Sequence, residues 1–344
     1  MAVTAHYIVR CVRTNNWTLR ARLIAFRYLP GNHSGEKIAE IFLHILGEVN
    51  CEDNVSSTAS CDSSLSLTHG LQTSLITADN ASPNDTALQF LERWLRDKGI
   101  EFDSEGNRVC CFPHVVNIGA QAGVEILKKP TLCLEFGVQL PAELLADAPY
   151  YRALEEDVIG GLRRIANWIR VSEGRRKDLK AIIHDGNAAG RWLTPAREPE
   201  TIPPLAVLRD VDTRWSSIFL MVDRVLVLYR VSLLHLKKYA DTEAPDLALS
   251  KTQLDALEDA RLFLSVLHMA QEMVSGQKTP TLAYVLPAYA LLIETLNDLK
   301  IKLPKISHAI GVTKKKLEFY MDKALNTEAY AISMSTLFCL VISC

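Results

Sequence analysis

The chain has 344 residues, 48% of them apolar and 23% charged, with a formal net charge of −2, a composition that supplies one or two hydrophobic cores and excludes disorder of the chain as a whole. No apolar run approaches the roughly 18 residues a membrane-spanning helix requires, and the longest, Ala331 to Cys344, is interrupted by Ser333, Ser335 and Thr336, so no membrane partner is expected. The start, MAVTAHYIVRCVRTNNW, is polar where a signal peptide is apolar, which reads the eight cysteines as free thiols in a reducing compartment, and the balanced charge leaves any contact with DNA to local patches.

In chain order, the first third alternates strand and helix patterns. Val3, Ala5, Tyr7 and Val9 alternate with Thr4, His6, Ile8 and Arg10, and Trp17, Leu19, Ala21 and Leu23 alternate with Thr18, Arg20 and Arg22, which predicts two paired strands. After the turn-prone Pro30-Gly31-Asn32, Ser34 caps a helix with Ile38, Ile41, Phe42, Ile45, Leu46 and Val49 on one face. Cys51 to Gly70, with Ser56, Ser57, Ser60, Ser63, Ser64 and Ser66, has no periodicity and reads as a surface insertion. A β-prone run from Thr73 to Ala78 ends at Asp79-Asn80-Ala81-Ser82-Pro83-Asn84, and Thr86 to Arg96 follows with helical character. From about Tyr151 every long segment has helical spacing: Val158, Leu162, Ile165, Ala166 and Ile169, then Trp215, Ile218, Phe219, Val222, Val225, Leu226 and Tyr229. A Pro-containing connection, Thr194 to Pro204, separates these, and further helices are expected around Thr252 to Val274 and Ala283 to Asp298. The fold class is therefore an α/β layer followed by an all-α remainder, without internal repeats.

Asp79 stands at the C-terminal end of a strand, where a carboxylate can hold a divalent cation above a sheet edge. The same Asp-Asn-Ala-Ser context equally suits a turn residue, and two-metal chemistry needs two or three converging carboxylates, with ions about 4 Å apart. Asp85 belongs more naturally to the first helical turn. Cys110, Cys111 and His114 make half a zinc site with no second pair of ligands, so no structural zinc is expected; His69 or Cys133 would complete it only by tertiary coincidence. A Cys111–His114 nucleophile pair lacks an orienting group and an oxyanion donor. Asp212 or Thr213 can cap a helix whose apolar stripe opens with Trp215; alternatively Arg214 meets phosphate and Trp215 stacks on an unpaired base. Arg163, Arg164, Arg170, Arg175, Arg176, Lys177 and Lys180, with only Glu173 and Asp178 among the last of them, form either a phosphate-contacting face or a solvated one. Lys314-Lys315-Lys316 is a short basic cluster of the nuclear-import type.

Four segments, taken in order, resemble hAT-superfamily DNA transposases of the type scattered through fungal genomes: Leu29-Pro30-Gly31-Asn32-His33-Ser34-Gly35-Glu36, Thr77-Ala78-Asp79-Asn80-Ala81-Ser82-Pro83-Asn84, Cys111-Phe112-Pro113-His114-Val115-Val116-Asn117 and Asp212-Thr213-Arg214-Trp215-Ser216-Ser217. The resemblance covers Met1 to about Ser333. It implies an incomplete ribonuclease-H-like domain over 1–129, with the Ser-rich insertion at 51–70, a large helical insertion domain over 130–333, and an atypical tail over 334–344. It implies nuclear cut-and-paste transposition, in which Mg2+ or Mn2+ supports cleavage and strand transfer at transposon-end DNA. In that scheme Asp79 is the second of three catalytic carboxylates and a metal ligand, Cys111 and His114 support the active-site region, and Arg214 and Trp215 serve hairpin formation, the indole stacking on a flipped base. Arg163, Arg164, Arg175, Arg176 and Lys177 are the further candidates for DNA contact.

By the same resemblance the first catalytic Asp falls upstream of Met1. The third carboxylate, a Glu, belongs with a dimerisation region where Ser335 to Cys344 matches nothing in the family, and a BED zinc finger has no counterpart. The expectation is a transposase remnant with an incomplete catalytic set, inactive as this polypeptide. The alternative is a non-catalytic nucleic-acid-binding or protein-interaction module derived from a transposase.

Overall fold

The computed structural model describes residues 1–10, 15–29, 31, 34–49, 75–194, 196–211, 215–239, 247–275 and 281–334. The Ser-rich segment 51–70, Asp212 to Arg214 and the tail from Ser335 lie outside the described residues. Cα proximity divides the chain into two compact units that are not contiguous in sequence: one runs over 1–115, 274–289 and from Phe319 onward, the other over 116–273 and 290–318.

In the first unit the expected strand pair forms. β1 (Ala2–Arg10) and β2 (Trp17–Phe26) make an antiparallel ladder from Ala2 opposite Phe26 to Arg10 opposite Trp17, with an irregularity at Val3/Thr4. Helix α1 (Gly35–Glu48) begins where Ser34 Oγ accepts from the Lys37 N–H at 3.4 Å, the cap its sequence predicts. β3 (Ile76–Ala78) runs parallel to β4 (Arg108–Cys110), Ile76 opposite Arg108 and Ala78 opposite Cys110. Parallel strands need a crossover, and α2 (Ser82–Asp97) supplies it. This helix starts earlier than its apolar spacing predicts, because Pro83 is tolerated in a first turn, where its missing N–H is not needed. Leu43 and Leu46 of α1 pack with Leu88, Leu91 and Leu95 of α2 and with Phe102, closing a small core over Ile76. The helices meet at backbone distance: a Cβ on Gly35 would lie 2.5 Å from the Pro83 carbonyl oxygen and 2.7 Å from the Ala87 nitrogen, so only glycine fits there.

The strands do not merge into the single α/β layer expected from sequence. Among the described residues they form two separate two-stranded sheets in a mostly helical protein, and no ladder joins β1–β2 to β3–β4. The parallel pair is short because the chain leaves it at Asp79 to enter α2 and at Cys111 to enter α3 (Phe112–Lys128).

The second unit is helical. The 3-10 segment Pro130–Phe136, closed by Gly137 at φ 62°, leads through α4 (Ala142–Leu145) and α5 (Ala148–Glu155) to α6 (Val158–Val171) and α7 (Glu173–Ala188). Ser172 ends α6 and caps α7, accepting from the Arg175 N–H. The apolar run opening at Trp215 is broken at Leu228 into α8 (Trp215–Val227) and α9 (Tyr229–Lys238). Then come α10 (Lys251–Val274), α11 (Leu282–Lys302) and α12 (Ser307–Leu325), with residues of α3, α10, α11 and α12 assigned to both units. Leu257, Ala260, Phe263, Leu264 and Leu267 form the fully buried stripe of α10. Thr313 Oγ1 donates to the Gly119 carbonyl at 2.9 Å, and a Cβ on Gly123 would lie 2.7 Å from Phe263 Cζ, so α3, α10 and α12 meet through glycine faces.

Candidate functional site

Asp79 is the exposed residue at which β3 ends. Its Oδ1 accepts from the Ala81 N–H at 3.1 Å and from Asn84 Nδ2 at 2.5 Å, while Asn84 Nδ2 also reaches the Asp79 carbonyl at 3.3 Å. This is an Asx turn, and it delivers the chain into α2. Arg108, the first residue of β4, forms an ion pair with Asp85 in the first turn of α2 and donates through Nη2 to the Asp79 carbonyl at 3.1 Å. The Cys111 N–H donates to the Ala78 carbonyl at 3.2 Å. The strand end is thus bound together by the chain's own groups.

Among the described residues these groups do not by themselves make up a divalent-metal centre. One Asp79 oxygen already serves two donors and Asp85 is neutralised by Arg108. Among the described residues no group of three His, Cys, Asp or Glu side chains lies close enough to hold an ion. Mg2+ takes about six oxygen ligands, of which one or two are usually carboxylates and the rest waters or substrate oxygens, and two-metal cleavage needs further carboxylates converging with Asp79, so no cleavage step is assigned to this arrangement.

Cys111 precedes α3 and its carbonyl accepts from the Val115 N–H at 3.0 Å, which places His114 in the helix's first turn. No hydrogen bond joins Cys111 to His114 among the described residues. At the neighbouring Cys110, burial above all pushes the thiol up from its ordinary range, against the opposing pull of Arg108 and Lys323, so it stays protonated and non-nucleophilic at neutral pH. The backbone here is packed from the C-terminal side of the same unit: Tyr330 Oη donates to the Cys110 carbonyl at 3.5 Å, Thr327 Oγ1 to the Arg108 carbonyl at 3.4 Å, and Phe112 meets Tyr289 edge-on with centroids 4.8 Å apart.

Trp215 is 1% exposed. Its indole Nε1 donates to Gln271 Oε1 at 3.2 Å, its backbone N–H to Asn117 Oδ1 at 3.4 Å, and its ring stands edge-on to His268 at 6.3 Å. In this conformation neither indole face is open to a nucleobase. Arg214 lies outside the described residues.

The basic stretch separates into committed and available cations. Arg163 grips Asp210, itself 4% exposed, through Nε at 2.8 and 3.1 Å and through Nη2 at 2.5 Å. Arg175 donates to the Trp168 carbonyl at 2.6 Å and lies 4.6 Å over the Trp168 ring. Arg170 donates to the Val207 carbonyl at 3.0 Å. Arg176, exposed, reaches the Arg170 carbonyl, and Lys177, exposed, pairs with Glu173 at 2.8 Å one turn away on α7. Arg164 and Lys180 are exposed with no ion pair among the described residues. Arg108, Asp210 and Gln271 are the residues sequence reasoning passed over. Their partners lie 23, 47 and 56 positions away, and no local spacing signals such pairings.

No family model matches the chain. It is 22% identical over 339 residues to a protein of Talaromyces stipitatus named "Putative transcriptional regulator tpeD", the match covering 93% of this chain and 34% of that protein. It is 26% identical over 129 residues to two maize proteins, "Putative AC transposase" and "Putative AC9 transposase", covering 37% of this chain and 13% of each. The chain therefore spans about a third of the fungal relative and a smaller part of the maize ones. These similarities support a transposase-related protein in the coarse sense. No helix among the described residues is long and apolar enough to cross a membrane.

Proposed function

We propose that this chain is a DNA-binding segment of hAT-transposase ancestry, nuclear in location, that does not cleave DNA by itself. The observation that carries the second half is Asp79: the carboxylate that the resemblance matches to the family's catalytic set is bound into an Asx turn, with its neighbour Asp85 ion-paired to Arg108. Metal-dependent cleavage with Mg2+ or Mn2+ would require carboxylates that do not converge there among the described residues. The maize transposases support the ancestry. The fungal protein named as a transcriptional regulator, similar over 93% of this chain, supports a DNA-contacting role.

Exposed Arg164 on α6, with Arg176, Lys177 and Lys180 on α7, supplies the DNA-contacting charge in this reading. Arg163 and Arg175 hold the α6–α7 region in shape from within, since each is engaged by its own chain. Phosphate contacts release counterions, so the logarithm of affinity falls with the logarithm of salt concentration at a slope of about −0.9 per phosphate neutralised on B-DNA. Replacing Arg164, Arg176, Lys177 and Lys180 together with Gln should flatten the slope, measured by fluorescence anisotropy on a duplex, by roughly 2 to 4. An unchanged slope, or no binding by the parent chain at low salt, overturns the proposal.

A further inference from the structure

A second cluster of charge lies in the helical unit, away from the basic stretch. Where α11 ends and α12 begins, a cavity of about 350 Å³ opens against the turn at Gly137 and Val138. Its volume falls in the range of small-ligand sites. Three lysines line it, Lys300, Lys314 and Lys315, against one acid, Glu318.

The lysines are not equivalent. Lys315 Nζ donates to the Phe136 and Gly137 carbonyls at 2.8 and 3.2 Å, fixing one wall. Lys314 Nζ is shared between Asn297 Oδ1 at 2.9 Å and Glu318 Oε1 at 3.4 Å. Lys300 is half-buried and has no acceptor and no ion-pair partner among the described residues. A Cβ on Gly311 would lie 3.2 Å from Val138 Cγ1 and 3.9 Å from Lys300 Nζ, so the bare backbone of α12 at Gly311 lets the Val138 wall and the ammonium come close together. An anion in the cavity would supply the counter-charge that this ammonium lacks among the described residues.

His308, in the first turn of α12, lines the same cavity and is 1% exposed. Neither Nδ1 nor Nε2 has a hydrogen-bond partner among the described residues. Burial lowers its pKa to about 4, so the ring is neutral at physiological pH and carries one N–H donor and one acceptor nitrogen. A buried donor left unpaired costs about 1–3 kcal/mol, which a ligand oxygen would recover. Ser307, half-buried beside it, adds a hydroxyl.

We infer that this cavity binds a phosphate monoester group, with Lys300 as its counter-charge and the His308 ring and Ser307 hydroxyl as donors. Lysine, a compact point charge, is an established kind of phosphate binder, and the three terminal oxygens of a phosphate monoester can meet the ammonium, the imidazole N–H and the hydroxyl together; no arginine lines this cavity among the described residues. The same oxygens could come from a free phosphorylated molecule or from a DNA backbone, and the inference commits to the former, because the site is a cavity at a helix corner and not part of the exposed face of α6 and α7.

The test is a titration of the full chain with 15N-labelled histidine, read at the His308 imidazole nitrogens and assigned with His308→Gln. Inorganic phosphate should shift the resonance saturably. A 5′-phosphorylated dinucleotide should do the same and its unphosphorylated counterpart should not. Lys300→Gln should weaken the apparent Kd by roughly tenfold or more, the scale of one charge-assisted contact, and Gly311→Leu should abolish binding by filling the space. Should Gly311→Leu fail to fold, Lys300→Gln still decides. No saturable shift with phosphate, a shift indifferent to Lys300→Gln, or a shift produced by duplex DNA but not by phosphate overturns the inference. None of these results depends on whether the α6–α7 face binds DNA, so the two proposals fail separately.

Discussion

Trp215 gives the most direct contest between packing and nucleic-acid chemistry. Removing a buried Trp side chain costs about 3–5 kcal/mol through lost transfer energy and the cavity left behind. The 1% exposure of Trp215 places it among the fully buried cases. Loss of the Nε1–Gln271 hydrogen bond adds less than about 1 kcal/mol, since Gln271 is only half-buried and water can replace the donor. Trp215→Ala should therefore destabilise the protein by about 4 kcal/mol. With a urea m-value of about 2 kcal/mol per molar, the unfolding midpoint should fall by roughly 2 M. Trp215→Phe keeps the ring in the core and should cost about 1–2 kcal/mol, with duplex binding intact once the protein is folded. The assay is urea unfolding followed by far-UV circular dichroism, alongside anisotropy on a duplex and on DNA with an extruded base. An unchanged midpoint in Trp215→Ala together with lost binding of the extruded-base DNA would refute the packing argument and restore the stacking role.

Three other consequences can be checked with the same equipment. Asp79→Ala removes the acceptor for the Ala81 N–H and Asn84 Nδ2 and should cost about 1 kcal/mol, while Asp79→Asn, which keeps a carbonyl oxygen, should cost less than half of that; equal melting points for the two would show that the Asx turn contributes nothing. Asp210→Ala strands Arg163 beside a vacated, 4%-exposed position and should destabilise by about 3 kcal/mol, and Arg163→Met with Asp210→Leu should recover most of it, which denaturant midpoints report. His308, whose pKa burial lowers from 6.5 to about 4, binds its proton less readily folded than unfolded. Its contribution is therefore fully present above pH 6.5 and lost as pH falls toward 4, at most about 3 kcal/mol. His308→Gln should flatten the stability profile in that window, and an unaltered slope would contradict the burial.

What the sequence discloses and what it hides follow from the range of the interactions involved. Period-two alternation in β1 and β2 and the 3.6 spacing in α6, α8 and α10 act within a few residues, and these elements form where the pattern places them. The Asx turn at Asp79 is equally local, because its partners Ala81 and Asn84 lie two and five positions away. Helix α12 was hidden, since its buried Ala309, Ile310, Val312 and Leu317 are interrupted by Lys314-Lys315-Lys316, which reads as a surface tag until Lys315 is seen capping the carbonyls of Phe136 and Gly137. The parallel pair was half legible: β3 lies within the β-prone run Thr73 to Ala78, while Arg108 to Cys110 offers only three residues.

Charge shows the same limit most sharply, and it governs the functional reading. A count of cations between Arg163 and Lys180 treats each as a candidate for phosphate. Yet Arg163 is held by an aspartate 47 residues on, Arg170 by a carbonyl 37 residues on, and Arg175 by Trp168 on the preceding helix. Each interaction lowers the field available to DNA while stiffening the scaffold that presents the remainder. Conversely Lys300, unremarkable in sequence, has no ion-pair partner among the described residues and lines the same cavity as an imidazole whose two nitrogens are unpaired there. The charge that can meet a ligand is what remains after the fold has satisfied itself. By that measure the exposed cations of α6 and α7 and the corner between α11 and α12 are two places, among the described residues, with charge left to meet a ligand.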